Sequence, residues 1–282
     1  MLREFSLGGR LAERVGADGQ PLHPPAPVRD AATVMLVRDA PPRRRSGAGG
    51  VEVFAFRRVS RMAFAAGMLV FPGGSVDPGD ADPGIPWEGP PPGQADAPAV
   101  VAAVRETFEE CGVLLAREAA GRVPDAGELA APAWEERRQA LAAGRARLAA
   151  VLAATDLRLP AAGLWPWARW VTPPFENRRF DTRFFVAALP PGQQARDLGG
   201  EGEQAAWLDP ARAVAAHAAG ELPMLPPTLV CLEELAAAPD VATLLATPRR
   251  LRPVSPWVAR ADDGRLVLRV DLDGHGGGQA AP

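Results

Sequence analysis

The sequence predicts a fold that mixes α-helices and β-strands, and three stretches carry that prediction. Residues 31–38 are rich in β-branched side chains, and residues 51–58 alternate well enough to form their antiparallel partner. Residues 100–111 instead repeat their apolar side chains with the period of a helix. These periods alone indicate a protein of mixed α and β structure.

The helix predicted over residues 100–111 separates apolar from acidic side chains. Its apolar stripe consists of Val100, Val101, Val104, Phe108 and Cys111. On the opposite side, Glu106, Glu109 and Glu110 are spaced so that their carboxylates point into one small volume. Like charges at this spacing destabilise a bare helix, and such oxygen ligands suit Mg²⁺ or Mn²⁺. The cluster predicts a metal site, with an ordinary solvated helix face as the alternative.

Glycines lie on both sides of this helix. Gly112 falls just after the last turn, at the position that favours a left-handed cap. Upstream, apolar residues run into the pair Gly73 and Gly74, as if a strand stopped there and the backbone turned tightly. A turn before the helix and a cap after it therefore frame the acidic cluster.

Taken together, these residues resemble the Nudix box, G-x5-E-x7-R-E-U-x-E-E-x-G-U, in which U is apolar. Residues 105–113 match its second half, except that Thr107 stands where a larger apolar residue is usual. Gly74 and Asp80 match the first half, with aspartate in place of glutamate. Between Asp80 and Arg105 there are 24 residues instead of seven, and the Pro- and Gly-rich run within them favours an inserted loop.

The resemblance to the Nudix hydrolase family implies an α/β fold, an α/β/α sandwich around a mixed β-sheet, here with helical insertions. It implies hydrolysis of a diphosphate linkage with Mg²⁺ or Mn²⁺ as cofactor. Glu106, Glu109 and Glu110 would be the metal ligands, with the backbone carbonyl of Gly74 as an addition. Arg105 would pair with a helix glutamate and hold its rotamer.

The resemblance leaves the proton acceptor of the reaction open. In this family an acidic residue just before a later strand often completes the metal site or acts as the base. Glu201 and Glu203 occupy that region, and Glu203 has the position more often used. The candidate catalytic residues are therefore Glu106, Arg105 and Glu203.

Two further stretches resemble the peroxisomal acyl-CoA diphosphatase branch of the family. Coenzyme A-cleaving members carry arginines between a strand end and the glycine pair. Arg58 matches the first arginine, Ala63 occupies the second position, and Arg61 is close by. Residues 167–174 read W-x-x-W-x-T-P-x, and residues 178–185 read R-R-F-D-T-R-F-F, as in that branch.

This second resemblance implies coenzyme A or acyl-CoA as the substrate. Because the chain contains no lysine, arginine must supply any phosphate contacts, and its guanidinium binds phosphate in a bidentate fork. The candidate substrate-binding residues are Arg58, Arg61, Arg179 and Arg183. As alternatives, Arg58 and Arg61 are ordinary surface arginines, and the arginines of residues 178–183 are structural partners of Asp181 and Glu176.

The remaining stretches predict how the chain is organised. Residues 117–131 are expected to be loop-like. Residues 132–155 predict one amphipathic helix with Glu135, Arg137 and Arg138 outside, which either shapes an acyl pocket or thickens the fold. The predicted divisions are a lead-in over 1–27, a Nudix domain over 28–238 with insertions near 79–98 and 117–160, and an extension over 239–282. That extension carries a hairpin across residues 262–264 and a mobile Gly-rich tail.

Composition limits the partners. A formal net charge of −3 offers no basic footprint for nucleic acid, and no run approaches the roughly 20 apolar residues of a membrane span. Two cysteines and three scattered histidines supply neither a disulfide framework nor a zinc spacing. Residues 1–29 lack the apolar segment of a secretory signal. We expect a cytoplasmic protein with a small-molecule nucleotide substrate and no nucleic-acid or membrane partner.

Two other functions stay open at this point. The first is a Nudix pyrophosphatase for another nucleoside diphosphate derivative, such as ADP-ribose or a dinucleoside polyphosphate. NADH-type members usually carry four zinc-binding cysteines, which the chain lacks. The second is a non-catalytic Nudix binding module, which the complete R-E-x-x-E-E half of the box disfavours and Asp80 with its long insertion keeps open.

Overall fold

The computed structural model describes residues 1–7, 9–41, 50–58, 67–93, 96–198, 202–249 and 251–273. The chain divides into two compact units. Unit 1 consists of Met1–Ala31, Pro166–Phe184 and Thr247–Pro282, and unit 2 consists of Ala32–Trp165 and Phe185–Ala246. This division does not test the domain boundaries predicted from the sequence, which stay a prediction.

In the described residues the strands are β1 (Leu2–Ser6), β2 (Val28–Asp39), β3 (Val51–Arg58), β4 (Leu69–Val70), β5 (Gly73–Ser75), β6 (Trp87–Glu88), β7 (Arg117–Glu118), β8 (Leu157–Pro160), β9 (Trp165–Val171), β10 (Arg179–Ala188), β11 (Gly202–Leu208), β12 (Pro253–Val254), β13 (Trp257–Arg260) and β14 (Leu266–Asp271). The α-helices are α1 (Ala97–Cys111), α2 (Ala126–Leu129), α3 (Pro132–Ala142), α4 (Leu148–Ala154), α5 (Pro210–Ala218), α6 (Pro226–Ala236) and α7 (Val241–Ala246). Two 3-10 helices span Gly9–Arg14 and Pro78–Ala81.

The main sheet of unit 2 is built around β3. Strands run in the order β11-β3-β2-β10, while β4 pairs with β3 and β5 pairs with β2. The predicted hairpin is confirmed, because β2 and β3 are antiparallel with Val37 opposite Val53. Strand β5 carries the glycine pair, and it lies beside the helix that carries the acidic cluster.

Helix α1 lies within the hydrophobic core of unit 2. The apolar stripe predicted from the sequence is confirmed, since Val104, Phe108 and Cys111 are buried in that core. Gly112 ends the helix with φ 68°, and its amide donates to the carbonyl of Phe108. The cap is therefore the left-handed one that glycine favours. Thr107 is also buried and donates to the carbonyl of Ala103 at 2.7 Å.

The segment after α1 differs from the prediction in three ways. Residues 117–131 are not a plain loop, because β7 pairs antiparallel with β8 and Asp125 caps α2. The single helix predicted over 132–155 is wrong: α3 and α4 are separate, and Gly144 between them adopts φ 64°. A left-handed residue cannot continue a right-handed helix. Arg138, predicted outside, is buried.

Unit 1 has its own strands and its own small core. Strands β1, β14 and β13 form one sheet, and β12 pairs parallel with β9. The hairpin predicted across residues 262–264 is confirmed by the antiparallel pairing of β13 with β14. Val15, Phe175 and Leu268 are the buried centre of its apolar cluster. The Gly-rich tail lies outside the described residues from 274 onward.

A search for membrane spans found no candidate: within the described part of the chain, every helix is too short or too polar to cross a bilayer.

The cap of α1 generates a testable prediction. We expect Gly112→Ala to lower the free energy of unfolding by about 1–2 kcal/mol, the cost of a left-handed alanine, because Cδ1 of Leu198, 2.8 Å from the new Cβ, is the end of a flexible side chain that can rotate away. The matched comparison is Gly144→Ala, which has φ 64° and nothing within 4 Å of its Cβ, so the two losses should be similar. Urea unfolding measures both variants, and no loss in Gly112→Ala would contradict the left-handed cap.

Candidate metal-binding site

The carboxylates of the acidic cluster lie against the glycine pair of β5. A Cβ placed on Gly74 would come within 2.3 Å of Oε1 of Glu106, so that carboxylate rests directly on the glycine. The amide of Gly73 donates to Oε2 of Glu110 at 3.0 Å. Helical spacing and the turn therefore bring the helix glutamates and the glycine pair together, as the sequence pattern predicts.

Arg105 lies at the centre of the acidic cluster. Its Nη1 donates to Oε1 of Glu106 at 2.9 Å and reaches both carboxylate oxygens of Glu109 at 3.4 Å. Its Nη2 donates to the carbonyl of Ser75 at 2.9 Å. One guanidinium therefore connects α1 to β5 and gathers two of the three carboxylates around a single nitrogen.

Asp80 holds Arg105 from the other side. The two side chains form a bidentate pair, with Nε to Oδ1 and Nη2 to Oδ2 both at 2.9 Å. Asp80 is 3% exposed and Arg105 is 8% exposed, so the pair is shielded from water. Asp80 lies on the 3-10 helix Pro78–Ala81, which begins three residues after β5 ends. Asp80 therefore meets Arg105 in space despite the 24 residues between them in the sequence, and the inserted loop stays a prediction.

The electrostatics of the cluster depend on its burial. Burial raises the pKa of Glu106 to about 7, with Arg105 opposing the shift and Glu109 adding to it. Burial also raises the pKa of Glu109, against the lowering effect of Arg105. Burial lowers the pKa of Arg105, but its bonds to Asp80 and the nearby carboxylates outweigh that effect and the net shift is upward. Arg105 is thus a permanent cation that neutralises one of the three carboxylates it contacts.

The donor set fits a hard divalent cation. In the part of the chain that the structure describes, no three acidic, histidine or cysteine side chains stand in the arrangement of a formed metal site. The glutamate oxygens instead contact Arg105 and the amide of Gly73. Even so, the cluster has more carboxylates than cations, and the side-chain atoms that could bind a metal ion are all oxygens. Gly74 also leaves space where a Cβ would collide with Glu106.

The structure does not describe every candidate residue. The backbone of Glu203 lies in β11 and that of Arg58 lies in β3, but both side chains fall outside the described residues. Arg61 and Glu201 lie wholly outside them. The role of these four residues therefore stays a prediction.

The other two candidate substrate-binding arginines are in unit 1. Arg179 donates to the backbone carbonyls of Thr172 and Ala26 at 3.1 and 3.3 Å. Arg183 donates to Asp30 at 2.9 Å. Both side chains thus have structural contacts within unit 1, and substrate binding by either arginine stays a prediction.

The carboxylates named as alternative partners for these arginines have hydrogen-bond partners elsewhere. Arg169 forms a bidentate pair with Asp181 at 2.8 and 2.6 Å, and Arg14 pairs with Glu176. Arg169 first, and Arg183 more weakly, lower the pKa of Asp181, so the alternative considered for Arg183 has support. The sequence did not indicate Arg169 and Arg14, because they come from other strands or helices. Only the pairing of those elements brings them to Asp181 and Glu176.

Sequence reasoning also missed Arg138. This side chain donates from Nη1 to the backbone carbonyl of Glu109 at 2.6 Å and forms a fork with Glu135. Its place in a single continuous helix would have been on the outer face. Gly144 is the residue that could have indicated the buried position of Arg138, because a helix break there allows α3 to rotate independently of α4.

Comparison with known proteins assigns the class. The chain belongs to the Nudix hydrolase family: a family model described as the NUDT19 Nudix domain matches residues 92–235. The crystal structure of a Nudix hydrolase from Alicyclobacillus acidocaldarius superposes with a TM-score of 0.65 and 32% identity, covering 78% of this chain and 96% of that one. The predicted family and the α/β fold class are confirmed.

Curated relatives point to one branch of that family. Acyl-coenzyme A diphosphatase NUDT19 of Gallus gallus is 30% identical, over 71% of this chain and 65% of its own length. Acyl-coenzyme A diphosphatase NUDT19 of Homo sapiens is 27% identical, over 83% of this chain and 76% of its own length. The chain thus spans about 65% of the chicken relative. The branch suggested by residues 167–185 is confirmed as a similarity.

The pair between Asp80 and Arg105 generates the second prediction. We expect Asp80→Asn to lower the free energy of unfolding by about 2 kcal/mol, because the buried guanidinium loses its bidentate carboxylate while Glu106 and Glu109 still balance its charge. Asp77→Asn is the control, since Asp77 lies 3.9 Å from Arg105 with a side chain that is 65% exposed. Urea unfolding measures the free energy of unfolding of both variants. Equal, small losses would show that the buried pair contributes little to stability.

Gly74 generates the third prediction. We expect Gly74→Ala to weaken Mn²⁺ binding by about tenfold, as the loss of an orienting contact usually does, because the methyl group displaces the Glu106 carboxylate. The melting temperature should change little, since the displaced atoms are the end of a flexible side chain. Gly79→Ala is the control, because its Cβ meets only ordinary contacts with Arg147 from 3.5 Å. Titration calorimetry with Mn²⁺ measures both; unchanged affinity in Gly74→Ala would contradict the site.

Proposed function

We propose that this protein is a divalent-metal-dependent diphosphatase that cleaves coenzyme A or acyl-CoA. One observation carries the metal-dependent hydrolase part of the proposal. It is the placement of Glu106 against Gly74 and of Glu110 on the amide of Gly73, with Arg105 joining Glu106 to Glu109. A solvated helix face, the alternative weighed from the sequence, would not bury its carboxylates, whereas the side chains of Glu106 and Glu109 are only 14% and 11% exposed.

The chain's own residues would prepare the site in three ways. Glu106, Glu109 and Glu110, with the carbonyl of Gly74, would hold Mg²⁺ or Mn²⁺. Arg105 orients the first two carboxylates, and Asp80 fixes Arg105 through two hydrogen bonds. The bound cation would neutralise the diphosphate oxygens and help deprotonate water.

In the proposed reaction, water attacks one phosphorus and the P–O–P bond breaks, which gives two phosphate monoesters. The proton of the attacking water passes to a carboxylate, for which Glu106 and Glu203 are the two candidates. Each is replaced singly by glutamine to separate them. Because Glu106 is also a proposed metal ligand, the Glu203 variant decides. If Glu203 is the acceptor, Glu203→Gln loses turnover while its Kd for Mn²⁺ stays at the wild-type value; if it is not, Glu203→Gln keeps its turnover.

The substrate part of the proposal rests on similarity. The two relatives described above are named acyl-coenzyme A diphosphatases, and residues 167–174 and 178–185 of this chain resemble that branch. Coenzyme A contains a diphosphate between its 3′-phosphorylated adenosine and its pantetheine arm. Cleavage there would release 3′,5′-ADP and 4′-phosphopantetheine, or acyl-4′-phosphopantetheine from acyl-CoA.

A substrate panel tests the proposed specificity. The full-length protein is incubated with Mn²⁺ and, in separate reactions, coenzyme A, a medium-chain and a long-chain acyl-CoA, ADP-ribose and a dinucleoside polyphosphate. We expect 3′,5′-ADP to appear from the first three at higher kcat/KM than any product from the others. Preference for ADP-ribose or the dinucleotide would replace the coenzyme A proposal, and hydrolysis of none would favour a binding module.

The ligand assignment generates the fourth prediction. We expect Glu109→Gln and Glu110→Gln each to lower kcat by at least about a hundredfold, because a metal-assisted step depends on several kcal/mol of charge stabilisation. The fold should be preserved, since glutamine keeps the shape and an acceptor for the amide of Gly73. Glu221→Gln controls for the loss of one charge at an exposed position of unit 2. Wild-type turnover of either ligand variant at saturating Mg²⁺ would refute the assignment.

A further inference from the structure

The last turn of α1 has a complete set of hydrogen-bond donors. A helix leaves its final four carbonyls without partners inside the helix. Here three of them accept from backbone amides: Phe108 from Gly112 at 2.9 Å, Glu110 from Leu198 at 2.8 Å and Cys111 from Arg196 at 3.0 Å. The fourth, the carbonyl of Glu109, accepts from the guanidinium of Arg138 at 2.6 Å. That carbonyl belongs to a residue of the candidate metal site.

Arg138 reaches this carbonyl from a well-fixed position. Its Nε and Nη2 donate to the two carboxylate oxygens of Glu135 at 2.9 and 2.6 Å, one turn earlier on α3. Near it on the same helix, the ring of Trp134 meets the ring of Phe108 edge-to-face, with centroids 5.9 Å apart. Helix α3 is therefore attached to α1 by an aromatic contact and by a guanidinium whose orientation is set.

The charge of Arg138 is as important as its hydrogen bond. The C-terminal end of a helix carries partial negative charge, so carboxylates placed there are destabilised and cations are favoured. Glu109 and Glu110 lie in this last turn, so their carboxylates are at that negative end. The buried guanidinium of Arg138 on the carbonyl of Glu109 opposes this effect at the two proposed ligands.

The geometry points to Arg138 as a positioning residue that holds the last turn of α1, and with it Glu109 and Glu110, in the arrangement that binds the cation. This inference rests on the proposed function, because it concerns the same metal site. The segment over residues 117–160, predicted to be an insertion, would then help to position the metal ligands. The sequence alone indicates only that its helix shapes an acyl pocket or thickens the fold.

The test compares four variants of the full chain. Arg138→Met removes the charge and the donors, Arg138→Gln is a second neutral replacement, and Arg138→Lys keeps the charge without the fork. Arg137→Met is the matched control, because, among the residues that the structure describes, its guanidinium donates within its own helix to the carbonyl of Ala133 at 2.8 Å and lies over the ring of Trp134. The readouts are the Kd for Mn²⁺ by calorimetry and amide hydrogen exchange of the metal-free protein at Gly112 and Leu198.

We expect the neutral Arg138 variants to bind Mn²⁺ about tenfold more weakly, as the loss of a residue that orients a ligand does. Exchange at Gly112 and Leu198 should be faster than in wild type, while Arg138→Lys lies between and Arg137→Met matches wild type. A purely structural role would lower the melting temperature and leave the Mn²⁺ affinity of the folded protein unchanged. Wild-type Kd in a folded neutral variant overturns the inference, and where Arg138→Met does not fold, Arg138→Gln decides.

Failure of the proposed function gives a different result. If wild-type protein binds no Mn²⁺ and hydrolyses no diphosphate, the metal site itself is wrong and no Arg138 variant is needed to show it. If wild-type protein binds Mn²⁺ and the neutral variants bind it equally well, the site stands and only the assignment of Arg138 falls.

Discussion

The buried pair between Asp80 and Arg105 is the interaction on which the candidate site depends. Arg105 carries five donor hydrogens, and Asp80 occupies one edge of the guanidinium, which leaves Nη1 directed at Glu106 and Glu109. The same group binds the carbonyl of Ser75. One side chain therefore fixes a 3-10 helix, a strand end and the helix with the carboxylates relative to each other.

This constraint explains how the chain tolerates 24 residues inside its box. The entropy cost of closing a loop grows only with the logarithm of its length, so a long inserted segment lowers the free energy of unfolding little if both of its ends stay fixed. The insertion is also structured, because Ile85 is buried in the core of unit 2 and β6 pairs parallel with β8. Since β8 also pairs with β7, the two segments predicted to be insertions together form one three-stranded sheet. Neither segment is therefore a simple surface loop.

The sequence predicted what depends on local periodicity and missed what depends on tertiary pairing. The stripe of α1, the hairpin of β2 and β3 and the cap at Gly112 follow from spacing and from glycine's conformational freedom, and all are present. The bond from Arg138 to the carbonyl of Glu109 could not be read in this way. It requires α3 to end before Gly144 and to lie across α1, and a periodic pattern over residues 132–155 contains neither fact. The partners of Asp181 and Glu176 were missed for the same reason.

The position of the carboxylates on α1 is itself an argument for function. Glu109 and Glu110 stand at the negative end of a helix dipole, beside a third buried carboxylate, where each contributes unfavourable electrostatic energy. Arg105 contacts two of these carboxylates, and the amide of Gly73 donates to the third. Arg138 and the amides of Gly112, Arg196 and Leu198 bind the backbone carbonyls of the same turn. Neutral side chains would avoid the unfavourable energy, so the retention of three carboxylates here supports the proposed cation site.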